Sequence, residues 1–133
     1  ECERFSDASG RWETISPLPL EVGHLSVIVQ ESTHSLYAIG GHSSSGDTDA
    51  IQELNLATHY WKKLSFSLPS KAGGLNRHNP IFKFGGNSED YFLVHGSKLY
   101  SWNPHSAPRH IRDLPSNVQS YYGQSHYSQG TLY

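Results

Sequence analysis

Histidine is the residue type in this sequence with the widest range of possible chemistry, because it binds metals and transfers protons near neutral pH. The chain has nine His residues, and His24, His78 and His126 each fall near the start of a β-prone segment. No HExxH motif or Cys–His cluster accompanies them, and the pair His105 and His110 has no recognised ligand spacing. The sequence therefore predicts neither a metal site nor a cofactor.

An acidic, serine-rich segment at residues 43–49 is the second candidate for chemistry. Its Asp47 and Asp49 could contact a basic ligand or a cation. An EF-hand loop needs oxygen ligands at fixed positions and a distant Glu, and this segment lacks that pattern. We interpret it as a flexible polar loop.

The residue pattern gives little support for catalysis or for binding to nucleic acid. The chain contains no GxSxG nucleophile motif and no P-loop. Its formal net charge of -2 offers no concentrated basic face for nucleic acid or for anionic membranes. The one cysteine, Cys2, cannot form an internal disulfide, so a reducing, cytoplasmic compartment is the expectation.

A repeat of about 48 residues organises the chain. Leu-Pro occurs at 18–19, 68–69 and 114–115, and Trp12 and Trp61 are in phase with the first two pairs. Each period contains short β-prone runs separated by turn residues. A sustained period of 3.6 residues, which helical repeats require, is absent. Four short strands in a repeat of this length are typical of a β-propeller blade.

The motifs of the first full repeat resemble the kelch repeat, in which an apolar strand ending in a double glycine precedes a spaced strand and a tryptophan. The residues that carry the resemblance are Leu36-Tyr37-Ala38-Ile39-Gly40-Gly41, Leu54-Asn55-Leu56-Ala57-Thr58, Trp61 and Leu68-Pro69. The second repeat departs from the pattern. His95-Gly96 stands in place of the double glycine, and His110 or Ile111 stands in place of the tryptophan.

The resemblance implies an all-β protein made of kelch-type β-propeller blades, each a four-stranded antiparallel sheet. About two and a half to three blades are expected, given one repeat per blade. The expected elements are an outer strand near 11–16, a blade over 24–66, a blade over 78–114 and the start of a third blade over 121–133. Propellers usually close with four to eight blades. We therefore expect a fragment of a longer protein, or assembly with other chains.

Three motifs have expected places within such a blade. Gly40-Gly41 ends the second strand in a tight turn that is partly left-handed. Trp61 packs between neighbouring blades. Each Leu-Pro pair leaves the outer strand in a loop, where the missing N–H of proline costs no ladder hydrogen bond.

The resemblance also implies a binding face, because the loops between blades and those between second and third strands gather on one side of a kelch propeller. These loops are residues 17–23, 42–49, 70–77 and 116–122. The candidate partner-binding residues in or beside them are Asn76, Arg77, His78, Tyr121, Tyr122, His42, Asp47 and Asp49. Arg77 stands where many kelch adaptors carry a partner-contacting arginine, and it could hold an acidic peptide in a bidentate way. Tyr121 and Tyr122 are candidate aromatic anchors.

We interpret the chain as a protein–protein interaction module, as in substrate adaptors or scaffolds, whose partner is another protein or peptide. Two alternatives stay open. One is part of an enzymatic or sugar-binding propeller that resembles a mutarotase or a galactose oxidase, although Cys2 precedes the first blade and is badly placed for a copper-oxidase cofactor. The other is a structural subunit that completes a ring with further blades from the same or another chain.

Overall fold

The computed structural model describes residues 1–72, 81–83, 91–95, 97–115, 127–128 and 131–132. In this part the regular secondary structure is almost entirely β-strand, with antiparallel pairing throughout and one 3-10 turn at Glu31–Thr33. The predicted all-β fold of antiparallel blade-like sheets is therefore confirmed. Among the described residues, we find no helix with the length and apolar character of a membrane span.

The chain begins with a two-stranded antiparallel hairpin. Its strands are β1 (Cys2–Ser6) and β2 (Arg11–Ile15). Phe5 lies opposite Trp12, and the two rings meet edge to face with their centroids 5.6 Å apart. Both side chains are largely exposed. β2 corresponds to the strand expected near 11–16, whereas β1 was not predicted because its short, charged sequence carries little β-signal.

The second sheet contains the motifs of the first full repeat. Its strands are β3 (Ser26–Gln30), β4 (Ser35–Ile39), β5 (His42–Ser43), β6 (Gly46–Asn55) and β7 (Tyr60–Ala72). The spatial order is β3, β4, β6 and β7, and β5 pairs with the start of β6. The turn between β6 and β7 is closed by the Asn55 carboxamide, which accepts 2.9 Å hydrogen bonds from the backbone N–H groups of Ala57 and Thr58.

The third sheet has four strands, and a short hairpin follows it. The sheet contains β8 (Ile81–Lys83), β9 (Tyr91–His95), β10 (Lys98–Trp102) and β11 (Arg109–Asp113), in that spatial order. The hairpin pairs β12 (Tyr127–Ser128) with β13 (Thr131–Leu132). Because residues 78, 121 and 133 lie outside the described part, the predicted blade boundaries stay predictions.

The hydrophobic core brings together the second and third sheets. Its buried members are Tyr37, Ile39, Ile51, Leu68, Tyr91, Leu93, Tyr100 and Trp102. The Trp102 ring meets Tyr37 edge to face, with centroids 5.7 Å apart, and its Nε1–H donates to the Ser106 carbonyl at 2.9 Å. The Tyr91 hydroxyl donates to the Val29 carbonyl at 3.2 Å, which also joins the two sheets. Tryptophan therefore does pack between neighbouring sheets, but the buried one is Trp102.

Trp61 lies instead where the first hairpin meets the second sheet. Its backbone N–H donates to the Ser16 hydroxyl at 3.0 Å, and that hydroxyl donates to the His59 carbonyl at 2.9 Å. The fully buried Gln52 side chain adds a second link, since its amide exchanges two hydrogen bonds with the backbone of Leu20. These bonds hold the segment after β2 against the second sheet.

Leu68-Pro69 differs from its predicted position in a loop, because both residues lie within β7. In the described part of the chain β7 pairs only with β6 and is an edge strand. The register around the proline is irregular, since Ser67 pairs with Ala50 and Ala72 pairs with Thr48. Proline is tolerated in such a place because edges and bulges leave some N–H groups unpaired.

Candidate protein-binding face

Residues 42–49 form a β-hairpin, not the flexible loop expected from their composition. His42 lies opposite Asp47 and Ser43 lies opposite Gly46. The Ser43 hydroxyl donates to the Gly46 carbonyl at 2.9 Å and lies 3.0 Å from the Ser45 hydroxyl. Such local side-chain bonds stabilise tight turns. A polar segment is thereby held in a defined conformation without an apolar face of its own.

The double glycine allows this hairpin to approach the segment that precedes β3. Gly40 and Gly41 have φ values of 64° and 107°, so the expected left-handed turn is confirmed. His42 and Gly23 exchange two backbone hydrogen bonds of 2.8 and 2.9 Å. A Cβ atom on Gly41 would lie 2.8 Å from the Gly23 carbonyl oxygen. Only glycine therefore fits the close approach of the two segments.

The His42 side chain is oriented by a carboxylate. Its Nδ1 lies 2.8 Å from Asp47 Oδ1, and the two side chains are 52% and 31% exposed. A carboxylate only accepts hydrogen bonds, so Nδ1 carries the proton and donates it. Nε2 is then left to contact other molecules, as an acceptor when the ring is neutral and as a donor when the ring is protonated.

The structure brings two of the predicted partner-binding residues together. His42 is the cross-strand partner of Asp47 and lies on the same face of the hairpin. Asp49 follows two residues later on β6, but the pairing register shifts by one residue between Asp47 and Ile51, so strand alternation does not place Asp49 on that face. We call His42 and Asp47, with Asp49 two residues further along β6 and the adjoining residues 21–24, the hairpin face. The other predicted contacts, Asn76, Arg77, His78, Tyr121 and Tyr122, lie outside the described residues.

Three histidines other than His42 have an unusual backbone conformation. His24, His34 and His59 have φ values of 52°, 51° and 60°, a left-handed conformation that is uncommon for residues other than glycine. All three lie in turns or irregular segments. Within the part that the structure describes, no three His, Cys, Asp or Glu side chains are grouped to hold a metal ion.

The sequence reasoning missed a polar cluster on β4, β6 and β7. Glu53 accepts a 2.7 Å hydrogen bond from the Ser35 hydroxyl and forms a 2.9 Å ion pair with Lys62. Burial raises the pKa of the Glu53 carboxyl, but the hydrogen bonds from Lys62 and Ser35 outweigh burial and bring the pKa below its usual value. The signal in the sequence is weak, since Glu53 looks like any polar residue of an alternating strand.

Glu53→Gln is expected to destabilise the fold at neutral pH and to have little effect in acid. The pKa of the Glu53 carboxyl in the folded chain lies below its usual value. Its stabilising contribution is therefore fully present above about pH 5 and is lost as the pH falls through the folded-state pKa. Urea unfolding of wild type and variant between about pH 7 and pH 3 measures the difference in their free energies of unfolding. Glu3→Gln, at an exposed position, is the control. A stability difference that does not shrink in acid would contradict the assignment.

Sequence comparison relates the chain to kelch-like proteins. It is 33% identical over 122 residues to Kelch-like protein 35 of Mus musculus. The matched region covers 89% of this chain and 20% of that relative, so the chain spans about a fifth of the relative's length. No family model matches the chain. The similarity and the all-β fold agree with the kelch resemblance of the first full repeat.

Proposed function

We propose that this chain binds another protein through the hairpin face, as a substrate adaptor or scaffold would. The observation that best supports this is that exposed polar side chains lie on a backbone segment that hydrogen bonds hold in place. The β5–β6 hairpin is tied to residue 23 by two backbone hydrogen bonds, and His42 is oriented by Asp47. Side chains held in this way lose little conformational entropy when they bind.

The relationship to a kelch-like protein favours the same function. The predicted contacts at Arg77 and Tyr121 belong to the same proposal. We propose that the loops containing these two residues lie on the same side of a propeller as the hairpin face.

Site-specific photo-crosslinking tests the location of the face. A photo-reactive amino acid at Ser44, at the exposed tip of the hairpin, is expected to crosslink to a bound protein in cell extract. The same group at Glu31, which is exposed in the turn after β3, is the control and is expected to give no crosslink. Equal crosslinking at both positions, or crosslinking at Glu31 alone, would exclude the hairpin face.

Once the crosslinked protein has been purified, substitutions in this chain identify the residues that contribute to binding it. His42→Ala and Asp49→Ala are each expected to weaken binding by roughly fivefold to thirtyfold, because one or two hydrogen bonds to a partner are lost. Arg77→Glu and Tyr121→Ala test the other predicted contacts in the same assay. Calorimetric titration measures the affinities. Unchanged affinity in all four variants would show that another surface binds the partner.

A further inference from the structure

The outer strand of the third sheet is exposed along its whole length. All five residues of β11, Arg109–Asp113, are exposed to solvent. The strand lies at the end of its sheet, and in the described part of the chain it pairs with β10 alone. Its outer edge therefore presents backbone N–H and C=O groups that can pair with another extended segment.

A β-bulge places two arginines of this strand on the same face. Arg109 pairs with Ser101 and Arg112 pairs with Leu99, and Ile111 is the extra residue between two consecutive register pairs. In a regular strand, residues three positions apart point to opposite faces. In β11 the extra residue brings both arginines to the same face. Their partners on β10, Ser101 and Leu99, are two residues apart and therefore point to one face of the sheet. Arg109 and Arg112 are therefore neighbours about 7 Å apart, two strand positions along the sheet.

These two arginines have no carboxylate partner within the described part of the chain. Asp113 is the acidic residue of β11, and it pairs with His110 at 3.1 Å. His110 lies opposite Tyr100, on the other face of the sheet. Both guanidinium groups are thus available on the exposed face. Each can form paired hydrogen bonds with a carboxylate.

The part of the chain that contains β11 is positively charged, as its two arginines are. Residues 60–133 contain eight Lys and Arg against three Asp and Glu, whereas residues 1–59 contain two basic and nine acidic residues. The positive charge of the second part attracts an acidic partner and raises its rate of association. The same arginines would oppose each other if a second copy of β11 paired with this edge, which disfavours self-association there.

We propose that β11 binds an extended acidic segment of another protein by strand addition. Alternate side chains of an extended segment are also about 7 Å apart and share a face. Carboxylates at alternate positions of the segment match the spacing of Arg109 and Arg112, while its backbone pairs with the outer edge of β11. This surface differs from the hairpin face, and the proposal does not depend on the proposed function of that face.

Fluorescence anisotropy with a short labelled peptide of alternating Glu and Thr tests the proposal on the purified chain. We expect this peptide to bind at low salt at least about tenfold more tightly than a peptide of alternating Gln and Thr, because charge-assisted hydrogen bonds to two arginines are lost with Gln. Arg109→Glu combined with Arg112→Glu is expected to remove this preference. Equal affinity for the two peptides in the wild-type chain would overturn the proposal.

Two further variants separate local geometry from overall charge. Lys63→Glu combined with Lys71→Glu makes the same change of charge at exposed positions of β7, and it is expected to weaken binding much less than the arginine reversal, because it alters only the long-range attraction. Exchanging the two residues (Arg109→His with His110→Arg) preserves composition but moves one arginine to the face of Tyr100, and it is expected to weaken binding. Equal losses in both charge-reversal variants, or wild-type affinity after the exchange, would contradict the proposal. Circular dichroism verifies that each variant is folded.

Discussion

Trp102→Ala is expected to lower the free energy of unfolding by about 3 to 5 kcal/mol. The indole is 1% exposed and contacts Tyr37 and Tyr91 across the core. Its removal leaves a cavity between the second and third sheets, and the hydrogen bond to the Ser106 carbonyl is lost as well. Urea denaturation followed by far-ultraviolet circular dichroism measures the loss.

Trp12→Ala is the matched control, because it removes the same side chain from an exposed position. Trp12 is 68% exposed and touches Phe5 in the first hairpin. We expect a cost of at most about 1 kcal/mol. If Trp102→Ala does not fold, Trp102→Phe keeps an aromatic ring in the core and is expected to give a smaller, measurable loss. Similar losses for Trp12→Ala and Trp102→Ala would show that Trp102 does not join the sheets.

Gly41→Ala is expected to destabilise the chain by about 2 to 4 kcal/mol. The backbone φ of 107° is unfavourable for any residue with a side chain. The added methyl group would also lie 2.8 Å from the Gly23 carbonyl oxygen. The two backbone hydrogen bonds between Gly23 and His42 should therefore weaken. Faster amide hydrogen exchange at these two residues reports that change, and urea denaturation reports the total cost.

Gly46→Ala separates backbone strain from the steric overlap. Gly46 has nearly the same φ, 108°, but a Cβ atom there would meet nothing within 4 Å. Its expected cost is about 1 to 2 kcal/mol, from strain alone. The additional loss of stability at Gly41, compared with Gly46, measures the steric overlap with the Gly23 carbonyl, where the hairpin approaches the segment before β3. Equal costs at the two glycines would mean that this approach contributes nothing to stability.

The strands and their class were accessible from the sequence because their signals are local. Alternating apolar residues predict strands in any context. The 48-residue spacing of Leu-Pro and tryptophan predicted the repeating sheets. The double glycine at 40–41 predicted a left-handed turn, which both φ values confirm. The strands and the turn depend on residues that lie close together along the chain, and the repeat is the recurrence of the same local motifs.

The hairpin at residues 42–49 was missed because its stability does not come from apolar residues. Ser43 closes the turn through its own hydroxyl, and Gly23, from a separate segment, pairs with His42. Composition describes only how well a segment can bury apolar surface, so a polar hairpin looks like a loop. For the same reason, the pairing of His42 with Asp47 followed only from the register of β5 and β6.

The sequence by itself determined that this protein is built from repeated antiparallel sheets with glycine turns, because alternation and turn residues act over short distances and the same local motifs recur in each repeat. The tertiary structure decided which side chains meet. Trp102 is buried and Trp12 is exposed because only the former faces a second sheet. Arg109 and Arg112 share a face because pairing with β10 leaves Ile111 as an extra residue. Burial and register are properties of contacts between distant segments, so no local pattern specifies them.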